Sequence, residues 1–276
     1  MFEVSLKTYN EKWAVKFQEE AQEIMKTLEK NIVSIIHIGS TSIDDMTAND
    51  VIDIAICLNS LENLKQYKQK LANLFYRDVG FFNQENWFIF GKYDNKFHLH
   101  LGPYDSEEIV NLLLFKLYLS KHSDYKNFYI DLKKKLIKNC EESLYEFNKR
   151  HFVSNVILLA KLEYLNGGIL ESDFEVIYKN AIINDKDKMT KGIKRVCQAD
   201  EDKLKVEVPR YKELHFKMMG ETEKAMKESP FCCKLIITNS DGNSIEMNEE
   251  EEKFVKTMIS DTMLRQYLRA QESDLG

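Results

Sequence analysis

Between positions 10 and 30, apolar side chains recur at Trp13, Phe17, Ala21, Ile24 and Leu28, with Glu and Lys between them. That three-to-four-residue spacing predicts a helix with one buried face. The pattern then changes period. Positions 32–38 and 51–58 are nearly continuous runs of Ile, Val, Ala and Leu, the second carrying Asp53 among them. Such runs predict strands covered on both faces. Between them Gly39-Ser40-Thr41-Ser42 reads as a turn whose hydroxyls could cap a short helix. Helical periodicity resumes at 61–75 behind the possible cap Ser60. Strands are expected at 87–92 and 97–101, joined by a turn at Asp94 and Asn95, and helices at 107–121, 125–138 and 144–165.

Asn166-Gly167-Gly168 is the strongest internal break, and a domain boundary is expected there. The pattern divides the chain into an α/β domain over 1–165, with a mixed sheet flanked by helices, and a mainly helical domain over 166–276. In the second, helices are expected at 171–184, 186–198 and 210–227. A hairpin is expected over 232–247 with its turn at Ser240-Asp241-Gly242-Asn243. Glu249, Glu250, Glu251 and Glu252 then open a last helix reaching about Gln271, where acidic residues suit the positive end of the helix dipole.

The composition is that of a globular protein, 43% hydrophobic with a net charge of −6. Neither part carries the basic excess of a dedicated nucleic-acid binder, and the run Lys133-Lys134-Lys135 reads as a solvated helix face. The first residues lack the basic-then-apolar pattern of a secretory leader, and no stretch approaches the roughly 20 apolar residues that span a bilayer. The five cysteines lack paired C-x-x-C spacing, which points to free thiols in a reducing, cytoplasmic compartment.

Chemistry concentrates around the Gly-Ser turn. A glycine lets backbone amides approach an oxyanion, and Ser40, Thr41 and Ser42 add hydroxyl donors, so a phosphate is one reading and a plain structural turn the other. Asp53 on the following strand could hold a divalent cation or make a structural hydrogen bond; buried alone it would be costly. The next position on its face is Ala55, and Asp50 falls on the opposite face. His98 and His100, two apart on a strand, share a face and could grip a metal, act as acid or base, or stand as satisfied histidines. His37 reads equally as a core histidine or a phosphate contact. Lys116 could reach phosphate from its helix.

HIGSTS at His37–Ser42 followed by VIDI at Val51–Ile54 resembles the signature of the GrpB family, also labelled UPF0157, which typically shows HIGSTSVPGL, then AKP, then IIDI. Tyr9, Trp13, Phe17 and Glu20 resemble that family's first helix. Phe97-His98-Leu99-His100-Leu101 resembles its HHLHV strand, and the segment from Leu112 to Leu136 its FRDYLRxHPE…Y…LK region. Tyr145, Lys149, Phe152 and Val153 match its closing helix, and Glu85 resembles a family Glu before the third strand. The likeness covers about 5–165. The chain departs from it at Asp44-Asp45-Met46 in place of Pro-Gly-Leu, Ala48-Asn49-Asp50 in place of Ala-Lys-Pro, and Phe115-Lys116-Leu117 in place of Phe-Arg-Asp.

The resemblance implies a nucleotidyltransferase-type fold of the DNA polymerase β-like superfamily, binding a nucleotide or another phosphorylated small molecule. With it, Asp53, His98 and His100 are expected to share a pocket as catalytic and metal-binding residues for Mg²⁺ or Mn²⁺, with His37, Gly39, Ser40, Thr41, Ser42 and Lys116 on the phosphate side. The alternative is a catalytically inactive binding module whose 166–276 region engages a protein partner. A third reading is a metal-dependent hydrolase built on the His-x-His pair.

Overall fold

The structure is a computed structural model, and it describes residues 6–28, 31–79, 86–92, 96–139 and 142–199. The first helix, α1 (Lys12–Leu28), leads into strand β1 (Ile32–Ile38), a 3-10 turn at Ser40–Ser42, and β2 (Ile52–Leu58). Then follow α2 (Leu64–Asn73), β3 (Tyr76–Asp78), β4 (Phe88–Lys92), β5 (Phe97–Pro103), α3 (Glu107–Lys121), α4 (Ser123–Asn139) and α5 (Glu142–Leu165). A 3-10 turn at Glu171–Phe174 precedes α6 (Glu175–Tyr178), β6 (Ile182–Ile183) and α7 (Lys186–Ala199). The strands form one mixed sheet in the order β3-β4-β5-β2-β1-β6. β2 and β5 run parallel, while the other described pairs are antiparallel.

Both faces of this sheet are covered, which is why its central strands read as unbroken apolar runs. On one face Ile52, Ile54, Ile56 and Leu58 of β2 meet Trp13, Phe17, Ala21 and Ile24 of α1 and Tyr67 and Leu71 of α2. On the other, Ile36, Ile38, Ala55 and Cys57 meet the helices from α3 onward. Helix α3 lies at the centre of that layer. Nine of its fifteen residues are buried, so its sequence is apolar almost all round. Ser106 caps it, its side chain accepting from the Ile109 amide at 3.4 Å.

The expected boundary at Asn166–Gly168 is corrected by the core. Ile169, Phe174, Ile177, Tyr178, Met189, Ile193, Val196 and Cys197 are all buried in the same apolar layer as Ile36 and Leu113. Ile182 and Ile183 extend the sheet at its β1 edge. Gly167, at φ 74, therefore makes a turn inside one core and the first unit continues to residue 199. The helix expected over 171–184 is likewise broken. Asn180 adopts φ 62, and the chain leaves helical geometry to pair with β1. The helices expected at 210–227 and 249–271 and the hairpin at 232–247 lie outside the described residues. Cys57 and Cys197 are free and buried, and among the described residues no helix is long and apolar enough to cross a membrane.

A single core running to α7 has a measurable consequence. Ile193→Ala should lower the stability of the whole unit by about 2–5 kcal/mol, seen as a shifted denaturant midpoint for the fluorescence of Trp13, on the opposite sheet face. An unchanged Trp13 transition would mean that 166–199 folds apart from 1–165.

Candidate functional site

Parallel pairing of β2 with β5 sets Asp53 opposite His98 and Ala55 opposite His100. Because side chains alternate along a strand, Asp53, His98 and His100 emerge together on the face of Ala55 and Cys57. His98 Nδ1 lies 3.5 Å and His100 Nε2 3.7 Å from the same Asp53 oxygen, Oδ1. The other oxygen, Oδ2, lies against Gly39. A Cβ at position 39 would stand 2.2 Å from it, and the backbone there has φ 69, so both space and conformation call for glycine. Asp53 is partly open, with 28% of its side chain exposed.

The electrostatics of this trio are lopsided. Burial works against the Asp53 carboxylate, but the hydrogen bonds offered by His100 and then His98 outweigh it and hold Asp53 well below the usual carboxylate range. Asp53 in turn raises the pKa of His98 above the ordinary imidazole value, against burial and against the nearby Lys149. His100 stacks on Trp87, with ring centroids 5.7 Å apart and planes 17° apart. Its Nδ1 is buried without a partner among the described residues, and Nε2 is the ring nitrogen that faces Asp53.

The Gly-Ser turn does not use its hydroxyls as expected. No side chain caps the 3-10 turn. Ser42 Oγ donates back to Gly39 O at 2.8 Å, and Thr41 Oγ1 donates to Val51 O at 3.2 Å. Thr41 then accepts from His37 Nε2 at 3.0 Å. His37 points away from Asp53, to the α1 face, where its ring stacks on Phe17 at 4.9 Å. Burial, with help from Lys116, pushes its pKa down to about 3. Of the two readings of His37, the geometry is that of a core histidine bracing the turn. Asp50 accepts from Trp13 Nε1 at 2.7 Å and Lys7 at 2.8 Å, and so anchors the entry to β2.

Ser40 meets a residue of α4 read from sequence as solvated. Lys133 of α4 is 3% exposed. Its Nζ donates to Ser40 Oγ at 3.3 Å and to Thr47 O, and lies 4.5 Å from the Tyr129 ring centroid. Burial first, and the neighbouring Lys149 second, lower its pKa to about 7. The signal was present in the spacing: Tyr129, Leu132 and Leu136 are buried, and position 133 falls on their stripe. Lys116 is elsewhere. Its Nζ donates to His37 O at 2.9 Å and Ile177 O at 3.0 Å, so it is not brought to the Asp53 trio. Glu85 lies outside the described residues.

The donors present do not fit the expected Mg²⁺ or Mn²⁺ site. Such ions take several oxygen ligands, whereas Asp53 is one carboxylate between two imidazoles and the next position on its face is the methyl of Ala55. Among the described residues no three His, Cys, Asp or Glu side chains are arranged to hold a metal ion.

The family model described as GrpB protein matches residues 3–158. The UPF0157 protein YqkA of Bacillus subtilis is 33% identical over 146 residues, covering 52% of this chain and 43% of that protein, so the chain spans less than half of this relative. The glutamate-rich protein GrpB of Alkalihalophilus pseudofirmus is 25% identical over 164 residues, 56% of this chain and 94% of its own. Among solved structures, the conserved protein GrpB from Enterococcus faecalis superposes with a TM-score of 0.54 at 26% identity, covering 58% of this chain and 99% of that one.

The coupling of His98 to Asp53 can be read directly. In a histidine NMR titration His98 should titrate above about 6.5, the ordinary imidazole value, and Asp53→Asn should bring it below its wild-type value, since burial and Lys149 then act unopposed. Because the folded His98 value is raised and that of Asp53 is lowered, this pair stabilises the fold fully between about 3.9 and 6.5, the ordinary carboxylate and imidazole values; the contribution is lost as pH rises through the folded value of His98 or falls towards that of Asp53. A His98 titration unmoved by Asp53→Asn would refute the pairing.

Proposed function

The chain belongs to the GrpB family, its α/β fold is nucleotidyltransferase-like, and we propose that it binds a nucleotide or another phosphorylated small molecule where α4 meets the Gly39–Ser42 turn. The observation that carries this reading is the buried Lys133 amine on Ser40 Oγ. A lysine kept dry beside a hydroxyl on a Gly-Ser turn supplies charge and donors to an incoming phosphate. The phosphate would draw a proton onto Lys133, restoring the charge that burial depresses.

The surrounding charges support an anionic guest. His98 and His100 bracket the carboxylate of Asp53, and Lys149 acts on both His98 and Lys133. Gly39, lacking a side chain, leaves Asp53 Oδ2 room against the turn. Binding without turnover fits this donor set better than nucleotidyl transfer, because a two-metal clamp on attacking and leaving oxygens needs further carboxylates. The transferase reading keeps one supporting observation, the ionised and partly open Asp53 beside the turn.

Calorimetry with a panel of nucleotides and sugar phosphates, with and without Mg²⁺ or Mn²⁺, separates these outcomes. We expect saturable binding without a divalent cation, weakened about tenfold or more, some 1.4 kcal/mol, by Lys133→Met. Binding that requires the cation and is lost in Asp53→Ala would favour transfer. No binding under any of these conditions would remove the phosphate reading altogether.

A further inference from the structure

Beside the same turn lies a cavity of about 510 Å³, between Ser42 and Asp44, helix α3, the start of α4 and helix α6. Lys116 lines it from α3, Lys126 from α4, Glu175 from α6, and Lys179 from the residue that follows α6. Lys116 is 2% exposed. Two of its three N–H groups are taken by the carbonyls of His37 and Ile177. Among the described residues no carboxylate forms a salt bridge with it, so the ammonium form keeps one donor unused and a charge that only the more distant Asp44 offsets.

The other charges around this cavity are unequally committed. Asp44 accepts from Lys179 at 2.6 Å and from Tyr9 at 3.1 Å, and Glu175 pairs with Lys186. Both carboxylates are therefore engaged by cations or donors. Lys126 donates to the carbonyl of Asp44 at 3.1 Å, and its nearest carboxylate, Asp45, stands 3.9 Å away and 87% exposed. What the cavity offers least matched is positive: the buried amine of Lys116 at its wall and the ammonium of Lys126, whose one carboxylate contact is long and solvent-exposed, beside it.

We infer that this cavity is a second anion site, taking a compact divalent oxyanion such as the phosphate of a monoester, held by Lys116 from within and Lys126 from the side. The site is separate from the Ser40–Lys133 contact and does not rest on the function proposed for it. Lys116 and Lys133 approach the turn through different neighbours, the first through His37 O and Ile177 O, the second through Ser40 Oγ and Thr47 O.

Proton linkage follows from the same arrangement. Burial, then the charge of Lys179, lowers Lys116 to about 7, with Asp44 opposing. The groups facing it are Asp44 on the turn side, Lys126 on α4, Glu175 on α6 and Lys179 just after it; the imidazole of His37, on the other sheet face, acts on it only through its charge, and burial pushes that ring down to about 3. Below about 7 the free site already carries its proton, so anion affinity is level. Above it, binding must take up a proton, and affinity falls as pH rises until the higher value of the occupied site is reached.

Sulfate is the appropriate probe, because its charge is constant over this range. A sulfate titration of the full chain at fixed ionic strength, followed by amide NMR, separates the two sites without mutation: Val176, Ile177 and Tyr178 report this cavity, and Ser40 and His98 the Ser40–Lys133 contact. We expect saturable shifts at Val176, Ile177 and Tyr178 at pH 6.5, with affinity about tenfold weaker at pH 8.5 and about tenfold weaker in Lys126→Ala at pH 6.5. No saturable shift at those three amides, or an affinity that Lys126→Ala leaves unchanged, would overturn the assignment. Shifts at Ser40 and His98 alone would leave the site at Ser40 and Lys133 standing and remove this second site.

Discussion

The carboxylate of Asp53 occupies space that exists only because residue 39 has no side chain. Its Oδ2 sits where a Cβ would be, and its Oδ1 faces two imidazoles from the neighbouring strand. Three separate elements are fixed by that contact. The turn must be glycine in a left-handed conformation, β2 must enter the sheet in register with β5, and β5 must present both histidines to one face. A charged group in a covered sheet is costly unless it is met on every side. Here the imidazoles and the turn meet it, and the same closeness leaves Ser40 as the turn hydroxyl facing the helices.

Lysines, not carboxylates, do the corresponding work on the helical side. Lys116, Lys133 and Lys161 are all buried. Lys161 is neutralised by Glu107 at 2.7 Å, whereas the hydrogen bonds of Lys116 and Lys133 go to uncharged oxygens of the turn, β1 and α6. Among the described residues neither amine is ion-paired, so each ties elements together through uncharged acceptors, the arrangement on which the proposed anion binding rests. It distinguishes these two positions from the solvated lysines around them, and it places positive charge on both sides of one four-residue turn.

Much of this was legible in the chain. Continuous apolar runs gave β1 and β2 because both sheet faces are covered, and strand parity put His98 and His100 on one face before any pairing was known. The GrpB likeness of HIGSTS and VIDI rests on that same region, and the family match spans 3–158. What failed did so for identifiable reasons. Local pattern carries no information on which strands pair, so the union of Asp53 with His98 and His100 could be expected only through the resemblance. Gly167 looked like a boundary because a turn inside a core and a linker share the same residues; only the burial of Ile177 and Ile193 tells them apart. Lys133 was read by its charge and its Lys neighbours, while the stripe of Tyr129, Leu132 and Leu136 beneath it was the better guide. His37 and Lys116 were sorted by direction, which a sequence does not show: one turns to Phe17, the other to backbone carbonyls.

The central claim is that the dry contact between Ser40 and Lys133 is where a phosphate enters. A crystal structure with a bound nucleotide tests it most directly. A phosphate oxygen should lie within hydrogen-bond reach of both Ser40 Oγ and Lys133 Nζ, on the side of the turn facing Asp53. A nucleotide whose phosphates lie away from this turn, with the Ser40–Lys133 contact still closed, would contradict it.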